Sequence, residues 1–148
     1  TTGVAIYNPA VTGANNTKIA YDFSKLAFTK TTAPVDPESV KDLIVTVTGS
    51  DMGFTAGVGN TTTYVKVAAA LYAPAATAAP LSYQSIRNAF AAGTPSATIA
   101  SAYANDVFVA KIDGGKGSAE YVIFKVTAVN LTPPADNTDN LVIEIKSK

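Results

Sequence analysis

The sequence predicts an all-β fold: an antiparallel β-sandwich or barrel of about seven to eight strands, with one or two short helical insertions. Three observations predict it. Short apolar stretches alternate with polar residues at period two, the pattern of half-buried strands. Gly, Pro, Asn and Asp punctuate those stretches at close intervals. Helical periodicity appears at most twice and does not alternate with the strands, which argues against a parallel doubly wound sheet. The chain has 148 residues, within the roughly 100–200 of one domain. Residues 1–148 are therefore read as one β-rich domain, with 1–13 as an extended N-terminal strand or arm.

The elements follow in chain order. Val4–Tyr7 is a short apolar strand stopped by Asn8-Pro9. Lys18–Phe23 alternates, with Ile19, Tyr21 and Phe23 on one face and Lys18, Ala20 and Asp22 on the other. Thr31–Ser39 holds Pro34 and Pro37 and reads as a loop. Lys41–Thr48 is the clearest strand of the first half, with Leu43, Val45 and Val47 on one face and Ile44, Thr46 and Thr48 on the other; Gly49-Ser50-Asp51 closes it. Phe54–Val58 is a weaker strand, broken by glycines. Thr61–Tyr72 alternates over a longer span and carries only Lys66 as a charge, so it predicts burial on both faces or contact with a partner.

Ala73–Pro80 is an Ala/Pro linker. Across Ser82–Ala92 the period changes: Tyr83, Ile86 and Phe90 share a helical face, Ser82 caps, Leu81 staples onto Ile86 and Gly93 ends the helix. Thr94-Pro95 predicts a second short helix to Ala104, with Ile99 and Tyr103 on its inner face. Val107–Ile112, a turn at Asp113–Gly117, Tyr121–Val129 and Leu141–Lys146 then form a three-stranded antiparallel meander.

The chemistry of the chain is defined by what it lacks. There is no Cys and no His. Thiolate nucleophiles, disulfides and the side chain that most often moves protons near neutral pH are therefore excluded. No Ser-x-x-Lys stretch offers a substitute base. The carboxylates Asp36, Glu38, Asp136 and Asp139 lie in loops, where turn formation and solvation explain them, and Trp, a usual sugar platform, is absent. No cofactor is implied and the chain is read as not an enzyme. The one oxygen-rich cluster, Asp136-Asn137-Thr138-Asp139-Asn140, makes Asp136 and Asp139 weak calcium candidates, set against a plain Asx-rich turn because the EF-hand spacing is missing. Gly114–Gly117 lacks the full P-loop pattern and precedes a strand.

Three Asn-x-Ser/Thr sequons make Asn15, Asn60 and Asn130 glycosylation candidates in turns or at strand ends. Tyr7, Tyr64 and Tyr72, with Ala and Thr neighbours, are candidates for an interface. The segments Val107–Lys111, Asp113-Gly114, Tyr121–Val129 and Leu141–Lys146 together resemble the closing hairpin of secreted haem-binding lipoproteins of the HmuY type. Those proteins hold iron with His or Met pairs; this chain has no His and a single Met, Met52, so the haem function is not carried over.

Eleven basic and eleven acidic residues cancel, and only 15% of residues are charged, against roughly 25% in ordinary globular chains. No net field attracts nucleic acid or an anionic membrane, and neutral surfaces associate readily. No apolar run reaches the roughly 18 residues of a membrane span. A start at Thr1, with no Met, is read as a mature chain after leader removal, at the cell surface or outside it. The expected function is a structural subunit of a pilus, filament or coat, partnered by copies of itself. Val4, Ile6 and Tyr7 form the candidate assembly strand, added to a neighbour's sheet edge; pairing within the same domain is the other reading of that segment. The alternative function is a ligand-binding β module for carbohydrate or a hydrophobic cofactor, using loops Thr31–Ser39 and Ala73–Gly93.

Overall fold

The computed structural model describes residues 3–9, 15–29, 31, 34–73, 79–112, 120–132, 134–136 and 138–147. The predicted turn at Asp113–Gly117, the middle of the Ala/Pro linker, Asn137 and most of the arm beyond Pro9 lie outside them. Among the described residues ten strands form two antiparallel five-stranded sheets. In chain order they are β1 (Val4–Tyr7), β2 (Ala20–Asp22), β3 (Ala27–Phe28), β4 (Leu43–Thr48), β5 (Asp51–Thr55), β6 (Thr63–Val67), β7 (Thr98–Ile99), β8 (Val107–Ile112), β9 (Glu120–Asn130) and β10 (Asn140–Ser147). One sheet runs β1-β10-β9-β8-β6 and the other β3-β2-β4-β5-β7. This is a sandwich, not a closed barrel. The predicted meander is present as β8-β9-β10.

The inner faces meet over an aromatic cluster. Phe54 packs edge-on against Tyr64, Phe108 and Phe124, with ring centroids 4.8, 5.1 and 5.6 Å away. Such T-shaped contacts set the negative face of one ring against the positive edge of another. A second cluster lies on the outer face of the β1-β10-β9-β8-β6 sheet. There Val65, Val107, Val109 and Ile123 are covered by Ile86 and Phe90 of α2 (Tyr83–Ala91). The Ser82 hydroxyl accepts the Ser85 N–H, and Ser85 Oγ accepts the Ser82 N–H in return, which completes a capping box. Leu81 joins the same cluster as Ile86, as the staple requires.

Several boundaries differ from the sequence reading. Thr61–Tyr72 is not one strand: β6 ends at Val67, and Ala69–Tyr72 forms the short helix α1. The alternation stops deciding structure where Ala takes over, because Ala has little side chain to place on either face. Burial on both faces does hold within β6, where Tyr64 faces the aromatic cluster and Val65 the helix. Tyr64 and Tyr72 are thus core residues, 0% and 5% exposed, and not surface candidates. Thr94–Ala104 forms no helix. It runs extended, with Ile99 paired to Phe54, while Tyr103 is left 60% exposed. Backbone bonding to two sheets outweighs the weak propensity of that stretch. Asp51 begins β5 instead of ending a turn. Gly49, at φ +63°, takes the first central place of a two-residue hairpin, the position that favours glycine.

The extended segment from Ser96 to Ala102 stitches one side of the sandwich. Ser96 and Tyr64 exchange backbone bonds of 2.8 and 3.0 Å, joining it to β6. Ile99 and Thr98 pair with β5, and the Ala102 N–H donates to Met52 O at 2.8 Å. The crossing is so close that a Cβ on Gly53 would sit 1.9 Å from the Ile99 carbonyl oxygen. Gly53→Ala should therefore destabilise the fold by about 1–3 kcal/mol or more through overpacking, read as a lowered urea midpoint. An unchanged midpoint would show that the stitch yields freely.

Candidate assembly edge

The sheet that holds β1 ends in two edge strands, β1 and β6; Ser96 bridges β6 at Tyr64, and no strand lies on the outer side of β1 among the described residues. β1 pairs with β10 of its own chain: Val4 with Ile143, Ala5 with Val142, Ile6 with Leu141 and Tyr7 with Asn140. In the isolated chain the segment thus adopts the within-domain pairing. Ile6 is 0% exposed and enters the core beside Leu141 and Ile143, with Val4 packed against the same cluster. Ala5 and Tyr7 face the other way and are half-buried. The alternation expected for the candidate strand, with Val4 and Ile6 inward, is therefore seen in its own sheet.

Past Tyr7 the strand is tied to the β9–β10 loop. The Asn8 N–H donates to the Asp139 carbonyl oxygen at 2.9 Å, and Asn8 Nδ2 to the Asp136 carbonyl oxygen at 3.5 Å. Asn8 is 2% exposed. The loop itself is folded around the Asp139 carboxylate. Oδ1 accepts the Thr132 N–H and hydroxyl, both at 2.8 Å, and Oδ2 accepts the Asp136 N–H at 2.7 Å. Asp136 Oδ1 accepts the N–H and hydroxyl of Thr138. Both weak calcium candidates thus serve as acceptors for donors of their own loop, the behaviour of Asx turns. No group of three His, Cys, Asp or Glu suited to a metal occurs among the described residues.

One buried carboxylate had no signal in the sequence beyond a charge placed just before an apolar strand. Asp42, 3% exposed, accepts the Phe23 N–H at 2.7 Å, Asn60 Nδ2 at 3.0 Å and the Thr62 hydroxyl at 2.6 Å. Its own carbonyl oxygen accepts the Tyr64 hydroxyl. Burial pushes its carboxyl above the usual range despite the bonds from Thr62, Asn60 and Phe23. At Asp139 and Asp22 burial also opposes ionisation but is outweighed. The Thr132 and Asp136 donors hold Asp139 below the usual range; those of Ser24 and Lys25 do the same for Asp22.

The sequon residues differ in setting. Asn60 uses its amide on Asp42 and accepts the Thr62 N–H at 2.7 Å, and Thr62 is fully buried. Asn15 is half-buried ahead of a 3₁₀ turn at Asn16–Lys18. Asn130 is exposed at the end of β9 and bonds Asn140 Oδ1 at 3.0 Å.

Open clefts lie among the described residues. One, of about 420 Å³, lies between the Gly49-Ser50 turn and Leu131, Thr132, Pro134 and Ala135. Another, of about 410 Å³, takes Tyr83 from the predicted ligand-loop region and is lined also by Leu26, Glu120 and Tyr121. Among the described residues no helix is long and apolar enough to cross a membrane. No family model, curated protein or solved structure matches the chain. The resemblance of the closing strands to haem-binding lipoproteins accordingly has no match behind it, and the geometry stands alone.

The shifted carboxyls predict opposite pH behaviour. A carboxyl lowered on folding stabilises above its unfolded value, near 3.9, and loses that contribution as pH falls through its folded value. The stability gap between wild type and Asp139→Asn should therefore narrow below about pH 4. Asp42 is raised, so its ionised form is penalised in the folded state. The gap between wild type and Asp42→Asn should widen as pH falls through the raised value, then level off near 3.9. Urea midpoints from pH 7 to 2.5 measure both.

Proposed function

We propose that the protein is a non-catalytic structural subunit of an extracellular or surface assembly, a pilus, filament or coat, whose copies join by exchange of β1. The position of β1 carries this reading. It is a four-residue edge strand whose ladder partner is β10, packed also against the Asn16–Lys18 turn, β2 and β4, with its buried side chain Ile6 seated against β10 residues. A second copy of the chain carries the same strand, so β1 of a neighbour fits the same groove in the same register with every backbone and side-chain contact reproduced. Exchange of identical elements costs little because the contacts are the native ones. The neutral, charge-poor composition supports close approach of copies.

The absence of Cys makes the test clean. Ala5 and Val142 are directly paired, at a separation within disulfide reach. The double variant Ala5→Cys, Val142→Cys, oxidised after assembly, should give a covalent ladder on a non-reducing gel. A single-chain band alone from assembled material would sink strand exchange. Deleting residues 1–9 should abolish polymers in electron microscopy and light scattering, and adding back a peptide of residues 1–9 should restore a stoichiometric complex. A full-length chain that stays monomeric at every concentration sinks the assembly reading itself.

A second reading, a ligand-binding β module, is favoured by the cleft beside Tyr83 and Glu120. Its mark would be a monomeric chain whose Tyr83 and Tyr121 ring signals shift with a sugar panel.

A further inference from the structure

We infer that the β9–β10 loop, folded around the Asp139 carboxylate, is the latch that decides how readily β1 leaves its own β10. The inference rests on the assembly reading for its use, but not for its physics.

Asn8 fastens the end of β1. The two backbone carbonyls that receive its N–H and its side-chain amide, those of Asp139 and Asp136, belong to one loop. The bond to the Asp139 carbonyl continues the β1–β10 register by one rung past Tyr7 and Asn140, while the Asp136 carbonyl lies off the ladder. Their positions are set by the Asp139 carboxylate, which draws the start of the loop at Thr132 and its middle at Asp136 onto its end. The bonds are charge-assisted and short, the class that is strongest singly. The Asp139 N–H adds a bond of 3.3 Å to the Asp136 carbonyl oxygen. Asp139 as a residue is 1% exposed.

The rest of β1 offers little to replace this hold. The strand has four residues, one fully buried side chain, and a half-buried outer face. An edge strand of that length opens locally at a small fraction of the global unfolding free energy, and its end fastening sets how often. Release from the Asn8 end frees the β1 rungs in turn from Tyr7 back to Val4. The cinched loop is thus placed to control the step that precedes any exchange between copies.

The test uses the full chain as a monomer and reads amide hydrogen exchange by residue. Asp139→Asn keeps the shape but removes the charge and replaces one acceptor oxygen with a donor. It should speed exchange of the Asn8 and β1 amides by about tenfold or more relative to those of β8 and β9. Thr132→Val, which removes a single hydroxyl donor, should act in the same direction and less strongly. Unchanged β1 exchange in both variants overturns the latch, as does a rise that only keeps step with β8 and β9, since that reports global destabilisation. In the disulfide ladder assay Asp139→Asn should assemble faster than its parent. A parent that assembles with no response to Asp139→Asn fails the latch alone. A parent that never assembles, with β1 amides still loosened, fails the assembly reading and leaves the latch in place.

Discussion

Burial of the Asp42 carboxylate is the constraint on which the rest of the sandwich depends. A carboxylate out of water is tolerable only when its oxygens are saturated with donors. Meeting that demand draws three distant stretches to one point: the β2–β3 turn through Phe23, the β5–β6 loop through Asn60 and Thr62, and the residue entering β4, Asp42 itself. The main chain of the same residue extends the tie. Its N–H donates to the Tyr21 carbonyl oxygen at 3.0 Å, and its own carbonyl oxygen accepts the Tyr64 hydroxyl from the opposite sheet. Tyr64 lies edge-on to Phe54, so the polar point and the aromatic cluster are two ends of one side chain. The hydrophobic effect supplies most of the stabilisation, but it is non-directional. The Asp42 network fixes which loop meets which strand.

The second organising feature is asymmetry between the two sides of the sandwich. On one side a single extended segment, Ser96 to Ala102, bonds to both sheets, running along β5 and bridging β6 at Tyr64. On the other side the edge strands are β1 and the two-residue β3. Natural sheets blunt edges by shortness, charge or cover. Here β3 is short, β5 is covered, and β6 is bridged by Ser96 and carries the exposed Lys66, while β1 is apolar, four residues long and fastened at its end by Asn8. The proposed function follows from this unequal treatment more than from any single residue.

Much of this was legible in the sequence, for identifiable reasons. The meander, Leu43–Thr48 and the capped helix were readable because period-two and period-3.6 patterns were long and unmixed there. The alternation of Val4 and Ile6 was readable too, but not whether the partner was the same chain, because the pattern specifies a face and not an owner. Ala68–Tyr72 and Thr94–Ala104 were misread where small or mixed residues carry little pattern and non-local backbone bonds decide. Asp42 was invisible because its meaning lies in Asn60, Thr62 and Phe23, which no local window joins to it. Asp136 and Asp139 were found as an oxygen cluster, yet their role in closing a loop depends on Thr132, seven residues before Asp139, and on Asn8 at the other end of the chain.

The antiparallel pairing of β1 with β10 also has a mechanical meaning. Val4 lies opposite Ile143, and β10 runs on from there to Ser147. The outer ends of the two strands therefore point the same way. A pull applied between Val4 and Ser147 loads the ladder across its bonds, one rung at a time, instead of shearing all rungs together. Backbone bonds in such a ladder lie perpendicular to the strands, so force acts nearly along each bond in turn. The β1–β10 junction yields like a zipper under tension, well before the stitched side of the sandwich carries any load.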